Sequence, residues 1–290
     1  MKIAVVGAAG LLGRHVTQAA IAAGHDVLAL ARALPDGRAF DLAADLSGLL
    51  ASLRGVDVVV WAAARASVEG CEANPTATRV VNVDAVRAVL QALPACTGLL
   101  AFSSEYVFDG HAAPVRGYLE GDARRALNAY GQQKIELEDL VTARSNSAVL
   151  RVSALFGEEP GRKNFVLQLV DASRAGRRLV VANDQWVTPT FALDLGSVVV
   201  DLARHVLAGS FGGVLHAAGP EVLRRDVFAR QVVEELGLRP DVIEAKPTSE
   251  LGLHAQRPLR AGLDTSLLHQ VTGAVLRSPR EALHLLKDTP

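Results

Sequence analysis

Short unbroken runs of aliphatic and β-branched residues recur along the chain at Lys2–Val6, Val27–Ala31, Val56–Val60, Leu99–Ser103 and Ala148–Val152. Runs of this kind suit strands buried on both faces. Between them lie stretches with apolar residues at three- and four-residue spacing: Leu11–Ala23, Thr76–Leu93 and Asn128–Arg144. That spacing predicts helices with one face turned inward. Gly24 and Pro94 stop the first two, glycine as an achiral end residue and proline for want of an N–H. Strand–helix alternation predicts an α/β fold, a Rossmann-type doubly wound parallel sheet joined by right-handed crossovers.

After Val152 the pattern loosens. Gly157–Gly161 and Asn183–Thr190 read as loops, Lys163–Ala175 and Phe191–Leu207 as helices, and Gly213–Ala217 as a strand returning to the main sheet. The rest, interrupted by Pro240, Pro247 and Pro258, reads as short elements. The expected division is a nucleotide-binding unit of residues 1–154 and about 191–219, with a smaller, partly interleaved substrate lobe of about 155–190 and 220–290.

Ligands in such sheets sit beyond the carboxyl ends of the strands. Those ends carry Gly7–Gly13, Arg32, Ala62–Ala64 and Ser103–Tyr106. Gly7, Gly10 and Gly13 form a GxxGxxG pattern between a strand and a helix. This pattern leaves the backbone open to a pyrophosphate and places it at the positive end of the helix dipole, beside Leu11 and Leu12. An acid at the end of the second strand would favour a free ribose hydroxyl; Arg32 instead suits a 2′-phosphate, with Arg14 as a helper. NADPH is therefore the expected cofactor, with NADH as the alternative. Asp41 and Leu42 fall where adenine contacts are common in such folds.

Tyr130-Gly131-Gln132-Gln133-Lys134 is a YxxxK pattern on an expected helix, which puts phenol and ammonium on one face. The ammonium is expected to lower the phenol's pKa and ready it to give a proton to a forming alkoxide. Ser104, at a strand end upstream, is placed to hydrogen-bond the same oxygen.

With these residues in order, the chain resembles the extended short-chain dehydrogenases/reductases, and among them the dTDP-4-dehydrorhamnose reductases. The resemblance also rests on Val81–Ala85, Ser103–Gly110, Leu150–Ser153, Asn164-Phe165, Asn183–Thr190, Arg257-Pro258 and Leu263–Ser266. It implies NADPH-dependent reduction of a keto group, at C4, on a nucleoside-diphosphate-linked deoxysugar. Ser104, Tyr130 and Lys134 become the catalytic set. Asn82 and Ser103 lie by the cofactor, and Glu105, Tyr106, Ala154, Asn164, Phe165, Trp186 and Arg257 by the substrate. Glu105 stands for a usual aspartate, Trp61 for an asparagine, Ala154 for a tryptophan and Val187 for a glycine. Trp61 and Ala154 are thus expected to report on which base and sugar fit. Two alternatives stay open: an epimerase or 4,6-dehydratase of the same fold, and a non-catalytic NADP-binding regulatory subunit. The dehydratase needs an acid pair after the strand-end hydroxyl, and Tyr106 follows Glu105 here.

Composition narrows the classes further. With 290 residues, 50% hydrophobic, and a net charge of -1, nothing draws the chain to nucleic acid or an anionic membrane. Arginine pairs such as Arg224-Arg225 read as solvated surface. Cys71 and Cys96 suit reduced thiols in a cytoplasmic protein. The histidines, His15 among them, lack metal-ligand spacing, so no metal is expected. A homodimer is the default assembly, with no interface marked in the sequence.

Overall fold

Six parallel strands make the central sheet of this computed structural model, which describes residues 1–32, 40–44, 46–111 and 117–287. The described residues form strands β1 (Lys2–Val6), β2 (Asp26–Leu30), β3 (Val58–Trp61), β4 (Gly98–Ser104), β5 (Ser147–Val152), β6 (Leu155–Phe156), β7 (Leu179–Ala182), β8 (Trp186–Val187), β9 (Thr190–Phe191), β10 (Gly213–His216), β11 (Leu223–Arg224) and β12 (Ile243–Lys246). The helices are α1 (Leu11–Ala22), α2 (Ser47–Ser52), α3 (Val68–Ala73), α4 (Pro75–Arg79), α5 (Ala85–Ala92), α6 (Ala129–Thr142), α7 (Phe165–Arg174), α8 (Ala192–Leu207), α9 (Arg225–Leu236), α10 (Ser266–Thr272) and α11 (Pro279–Lys287). The sheet order is β10-β5-β4-β3-β1-β2. Chain direction across the sheet reverses beside β1, and the crevice that opens at such a point is where this architecture binds nucleotides.

Alternate residues of each strand serve opposite faces. Ile3, Val5, Val58, Val60, Leu100 and Leu150 pack with α1 and α8, while Ala4, Val59, Leu99, Ala101 and Val149 pack with α5 and α6. Both faces are thus apolar, which is why the strands read as unbroken runs. Trp61 belongs to the second face, fully buried with Val86, Val89, Leu137 and Val141. It is a core residue, and the expectation that it reports on the substrate is corrected. The expected helix from Thr76 to Leu93 is α4 and α5 joined through a π-helical turn, Val80–Asp84. A separate apolar cluster, with Phe156, Val166, Leu169, Phe228, Val232 and Leu283, joins α7, α9 and α11. In the stretch read as short elements, α9 runs twelve residues. Its buried positions, Phe228, Ala229 and Val232, are too sparse for a clear apolar stripe.

Candidate active site

The glycine loop is built as its spacing demands. Gly7 has φ +95°, and its backbone oxygen accepts from the Gly10 N–H at 3.0 Å. A Cβ on Gly13 would overlap that same Gly7 oxygen, so the helix can sit this close to the loop only without a side chain. α1 starts at Gly10 with no side-chain cap and no acid in its first turn. Its free N–H groups and positive dipole end therefore face the crevice uncompensated, which fits a dinucleotide's pyrophosphate. Leu11 is partly buried beside the loop, whereas Leu12 sits in the core under the sheet. Arg32 is exposed just past β2, and Arg14 reaches the Glu158 carbonyl at 3.5 Å. Asp41 turns its carboxylate to the Ala43 N–H at 3.0 Å, and Leu42 is buried in the core. Ala62 and Ala63 line the end of β3 next to Gly7, and Ala64 is exposed.

Asn82 lies on the π turn. Its amide oxygen accepts from the Arg65 N–H at 2.7 Å, and its NH2 donates to the Arg65 carbonyl at 3.1 Å and to Gln133 Oε1 at 2.7 Å. Asn82 thus braces the segment after β3 against α6. Gln133, between the tyrosine and lysine of the YxxxK pattern, went unremarked in the sequence; its NH2 donates on to the Pro75 carbonyl and Thr78 Oγ1, both at 3.0 Å.

α6 opens with Asn128, whose side chain accepts from the Gly131 N–H at 2.9 Å. That cap fixes Tyr130 and Lys134 over the end of β4. Lys134 is buried and donates to the Phe102 carbonyl at 2.8 Å, and its Nζ stands 5.7 Å from the Tyr130 ring centroid. Burial pulls its pKa down to about 8, with Glu138 and Cys71 opposing. Ser104 donates to Glu105 Oε2 at 2.6 Å. Burial pushes the Glu105 carboxyl above the usual range, against hydrogen bonds from Ser104 and Ser153. Tyr130 is also pushed upward, first by burial and then by the Glu105 charge, with hydrogen bonding to Ser104 opposing. The expected lowering of the phenol by Lys134 is therefore corrected. In this protein a dry environment and a neighbouring acid dominate. Ser103 is buried on β4 beside Arg151 of β5, and its hydroxyl helps hold the Glu138 carboxyl low.

Ser104, Glu105, Tyr106 and Tyr130 form one wall of a cavity of about 210 Å³. Ala154, Leu155, Gln185, Trp186, Val187 and Arg225 complete the lining. Ala154 takes a left-handed conformation, φ +41°, which turns the chain out of β5 beside the cavity. Phe165 lies behind Arg225, whose guanidinium covers its ring at 4.4 Å. Arg257 stands behind Tyr106, 5.6 Å from the ring centroid, and pairs with Glu69 at 2.9 Å. Asn164 is occupied elsewhere: its oxygen caps α7 through the Leu167 N–H, and its NH2 donates to the Gly157 carbonyl at 2.8 Å. Phe165, Arg257 and Asn164, three of the residues expected at the substrate, thus lie outside the lining.

Arg225 corrects the reading of Arg224-Arg225 as solvated surface. Arg224 pairs with Asp226 at 2.5 Å, half exposed. Its neighbour sits at the first position of α9, about 100° further round the helix, and turns into the cavity. Sequence alone could not separate two adjacent arginines without the start of α9. Gln185 lies in the Asn183–Thr190 stretch whose motif carries the resemblance, and it lines the cavity with Trp186 and Val187.

The family model described as the RmlD substrate binding domain matches residues 1–289. A dTDP-4-dehydrorhamnose reductase of Mycobacterium tuberculosis (strain ATCC 25618 / H37Rv) is 30% identical over 268 residues, covering 91% of this chain and 85% of its own length. Among solved structures, a dTDP-4-dehydrorhamnose reductase from Clostridium acetobutylicum ATCC 824 superposes with a TM-score of 0.84 at 25% identity, covering 99% of both chains. The dTDP-4-dehydrorhamnose reductase of Bacillus anthracis str. Ames, solved in complex with NADP, has a TM-score of 0.87 at 22% identity over 98% of each chain, a likeness of fold. By sequence over nearly its whole length and by architecture, the chain belongs to the RmlD substrate-binding family.

Proposed function

We propose that this protein is an NADPH-dependent oxidoreductase that reduces the C4 keto group of a nucleoside-diphosphate-linked deoxysugar. The observation that carries this reading is the convergence of Ser104, Tyr130 and Lys134 at the end of β4, where Ser104 and Tyr130 face the 210 Å³ cavity. The residues around Gly7–Gly13 fit a dinucleotide, since an uncapped helix start and a bare backbone meet the same crevice. They would hold its pyrophosphate, and Arg32 its 2′-phosphate. When bound, the nicotinamide supplies the hydride that the carbonyl carbon accepts.

The chain's own groups handle the oxygen. Ser104 turns its hydroxyl proton from Glu105 Oε2 to the carbonyl oxygen, donating a hydrogen bond that polarises it. Tyr130, held protonated by its dry site, delivers its proton to that oxygen as negative charge develops. Lys134, charged below about pH 8, places a cation beside the phenolate left behind. The expected division into a nucleotide-binding unit (1–154, about 191–219) and a substrate lobe (155–190, 220–290) belongs to the same proposal.

Purified protein is incubated with a 4-keto nucleotide sugar, and the loss of NADPH absorbance is followed. Turnover with NADPH is expected, and Tyr130→Phe should lower kcat about 10²- to 10⁴-fold. Equal rates in wild type and Tyr130→Phe would remove the phenol from the mechanism. Copurified NAD, with no consumption of added NADPH, would instead indicate an internal redox cycle.

A further inference from the structure

The guanidinium of Arg225 faces the substrate cavity and makes no hydrogen bond or ion pair with any described residue. The Phe165 ring lies beneath it, 4.4 Å away, and holds the side chain's plane without occupying its N–H groups, while Tyr106 and Glu105 act on its charge from the cavity wall. Arg257, behind the Tyr106 ring, has its charge met by Glu69 at 2.9 Å, so Arg225 is the cation that the cavity presents. Glu105 is the carboxylate of the cavity lining, and it is turned to Ser104 at 2.6 Å. Burial raises the Glu105 pKa, and the Arg225 charge acts against that rise. A partly buried guanidinium with five donors and no acceptor is costly unless a ligand supplies the acceptor.

We propose that Arg225 is a substrate-binding residue that receives the diphosphate of the nucleotide sugar. This rests on the reading of the cavity as a nucleotide-sugar site. A 4-keto deoxysugar ring is neutral, and the diphosphate is the anionic part of such a substrate. It presents several oxygens to a planar fork of N–H donors, the arrangement in which guanidinium binds best. Phe165 supplies a rigid platform, so little side-chain freedom is lost on binding. Arg225 then fixes the distance between the diphosphate and Ser104, and with it the position of the reacting carbonyl.

The test is the Kd of thymidine diphosphate and of uridine diphosphate, measured by calorimetry with the protein saturated in NADP so that the dinucleotide crevice is filled. Arg225→Met should weaken the better of the two at least 10-fold and leave the melting temperature nearly unchanged. Arg225→Lys should recover part of the loss, and Arg178→Met, which removes an exposed charge elsewhere, should leave Kd within twofold. Thymidine or uridine, lacking phosphates, should respond little to Arg225→Met. The proposal is overturned if Arg225→Met binds both diphosphates as tightly as wild type, or if wild type binds neither. It is also overturned if the loss appears only with a ligand carrying a carboxylate on its sugar, such as UDP-glucuronate compared with UDP-glucose. NADPH oxidation assays on the same samples separate the two readings. Arg225-dependent diphosphate binding without turnover keeps the anion site and removes the reductase. Turnover with an Arg225-independent Kd does the reverse.

Discussion

Lys134 shows how much the protein invests in one side chain. The ammonium is fully enclosed, with the Phe102 carbonyl at 2.8 Å as its hydrogen-bond acceptor. Its pKa falls from 10.5 to about 8 because burial penalises the charge more than Glu138 and Cys71 support it. The folded state therefore releases this proton above about pH 8, while the unfolded chain holds it up to about 10.5. Between those values the unfolded state binds more protons, so stability rises with pH across the window, by about 3 kcal/mol. Below pH 8 both states are protonated and the burial cost is present in full. Urea unfolding of the ligand-free protein at several pH values should show this rise, and Lys134→Met should flatten it. A wild-type profile already flat from pH 8 to 10 would mean that the amine is better solvated than its surroundings imply. The cost makes sense if the cation is wanted at neutral pH beside a phenol that gives up its proton.

At the level of elements, α6 carries the chemistry because its first turns are clamped from several sides. Asn128 caps its start, Gln133 ties it to Asn82 and the end of α4, and Gly131 lets it touch the turn at Glu105–Val107. A Cβ at position 131 would overlap the Tyr106 carbonyl oxygen and also approach Ala126 Cβ at 2.9 Å. Gly131→Ala must push α6 away from that turn, which carries Glu105 and follows Ser104. It should cost about 1–3 kcal/mol of stability. It should also lower kcat more than it raises KM, because Tyr130 and Ser104 separate while the cavity walls beyond stay in place. Thermal unfolding and steady-state kinetics on one preparation would check both, and a variant with wild-type kcat would show that the spacing tolerates the shift. The tyrosine and lysine of this helix were legible in the sequence because a four-residue spacing fixes their common face. The clamps were less so. Asn82 reaches Gln133 across a sequence separation of 51, through a π turn that no periodicity reveals. The strands of the sheet were legible for the opposite reason: each is apolar on both faces, and that signal is local. Arg225 was hidden because its neighbour Arg224 is identical in kind and differs only in angle about α9.

Across the whole molecule, the site leans on a buried ionic network that binds its parts together. Glu138, one turn beyond Lys134 on α6, is fully buried and accepts from Arg151 Nε at 2.8 Å and Nη2 at 2.7 Å. Arg124 adds a longer contact at 3.1 Å from the segment before α6. Arg151 lies on β5 beside Ser103, donates to the Glu120 carbonyl at 3.1 Å and stands 3.2 Å from His216 on β10. His216 in turn faces the Asp264 carbonyl at 3.0 Å, near the start of α10. One arginine thus links α6, two strands and the C-terminal segment. None of it was visible in the sequence, since a lone arginine in an apolar strand does not reveal its partner. Burial alone would raise the Glu138 pKa, but the hydrogen bonds and charge of Arg151 outweigh it, and the carboxyl is held below its ordinary value. Stability from this pair is therefore complete above about pH 4.5 and is lost as pH falls through the lower folded value. Arg151→Met should cost about 3–5 kcal/mol at pH 7, because it leaves a buried carboxylate with a single partly exposed cation. In that variant burial would dominate and raise the Glu138 pKa, so the folded state would take up a proton more readily than the unfolded chain. The deficit relative to wild type should accordingly shrink as pH is lowered from 7 toward 4. Urea unfolding of both proteins at the two pH values would decide it. A loss below 1 kcal/mol at pH 7, or a deficit that widens in acid, would show that the network is solvated and contributes little to holding α6 against the sheet.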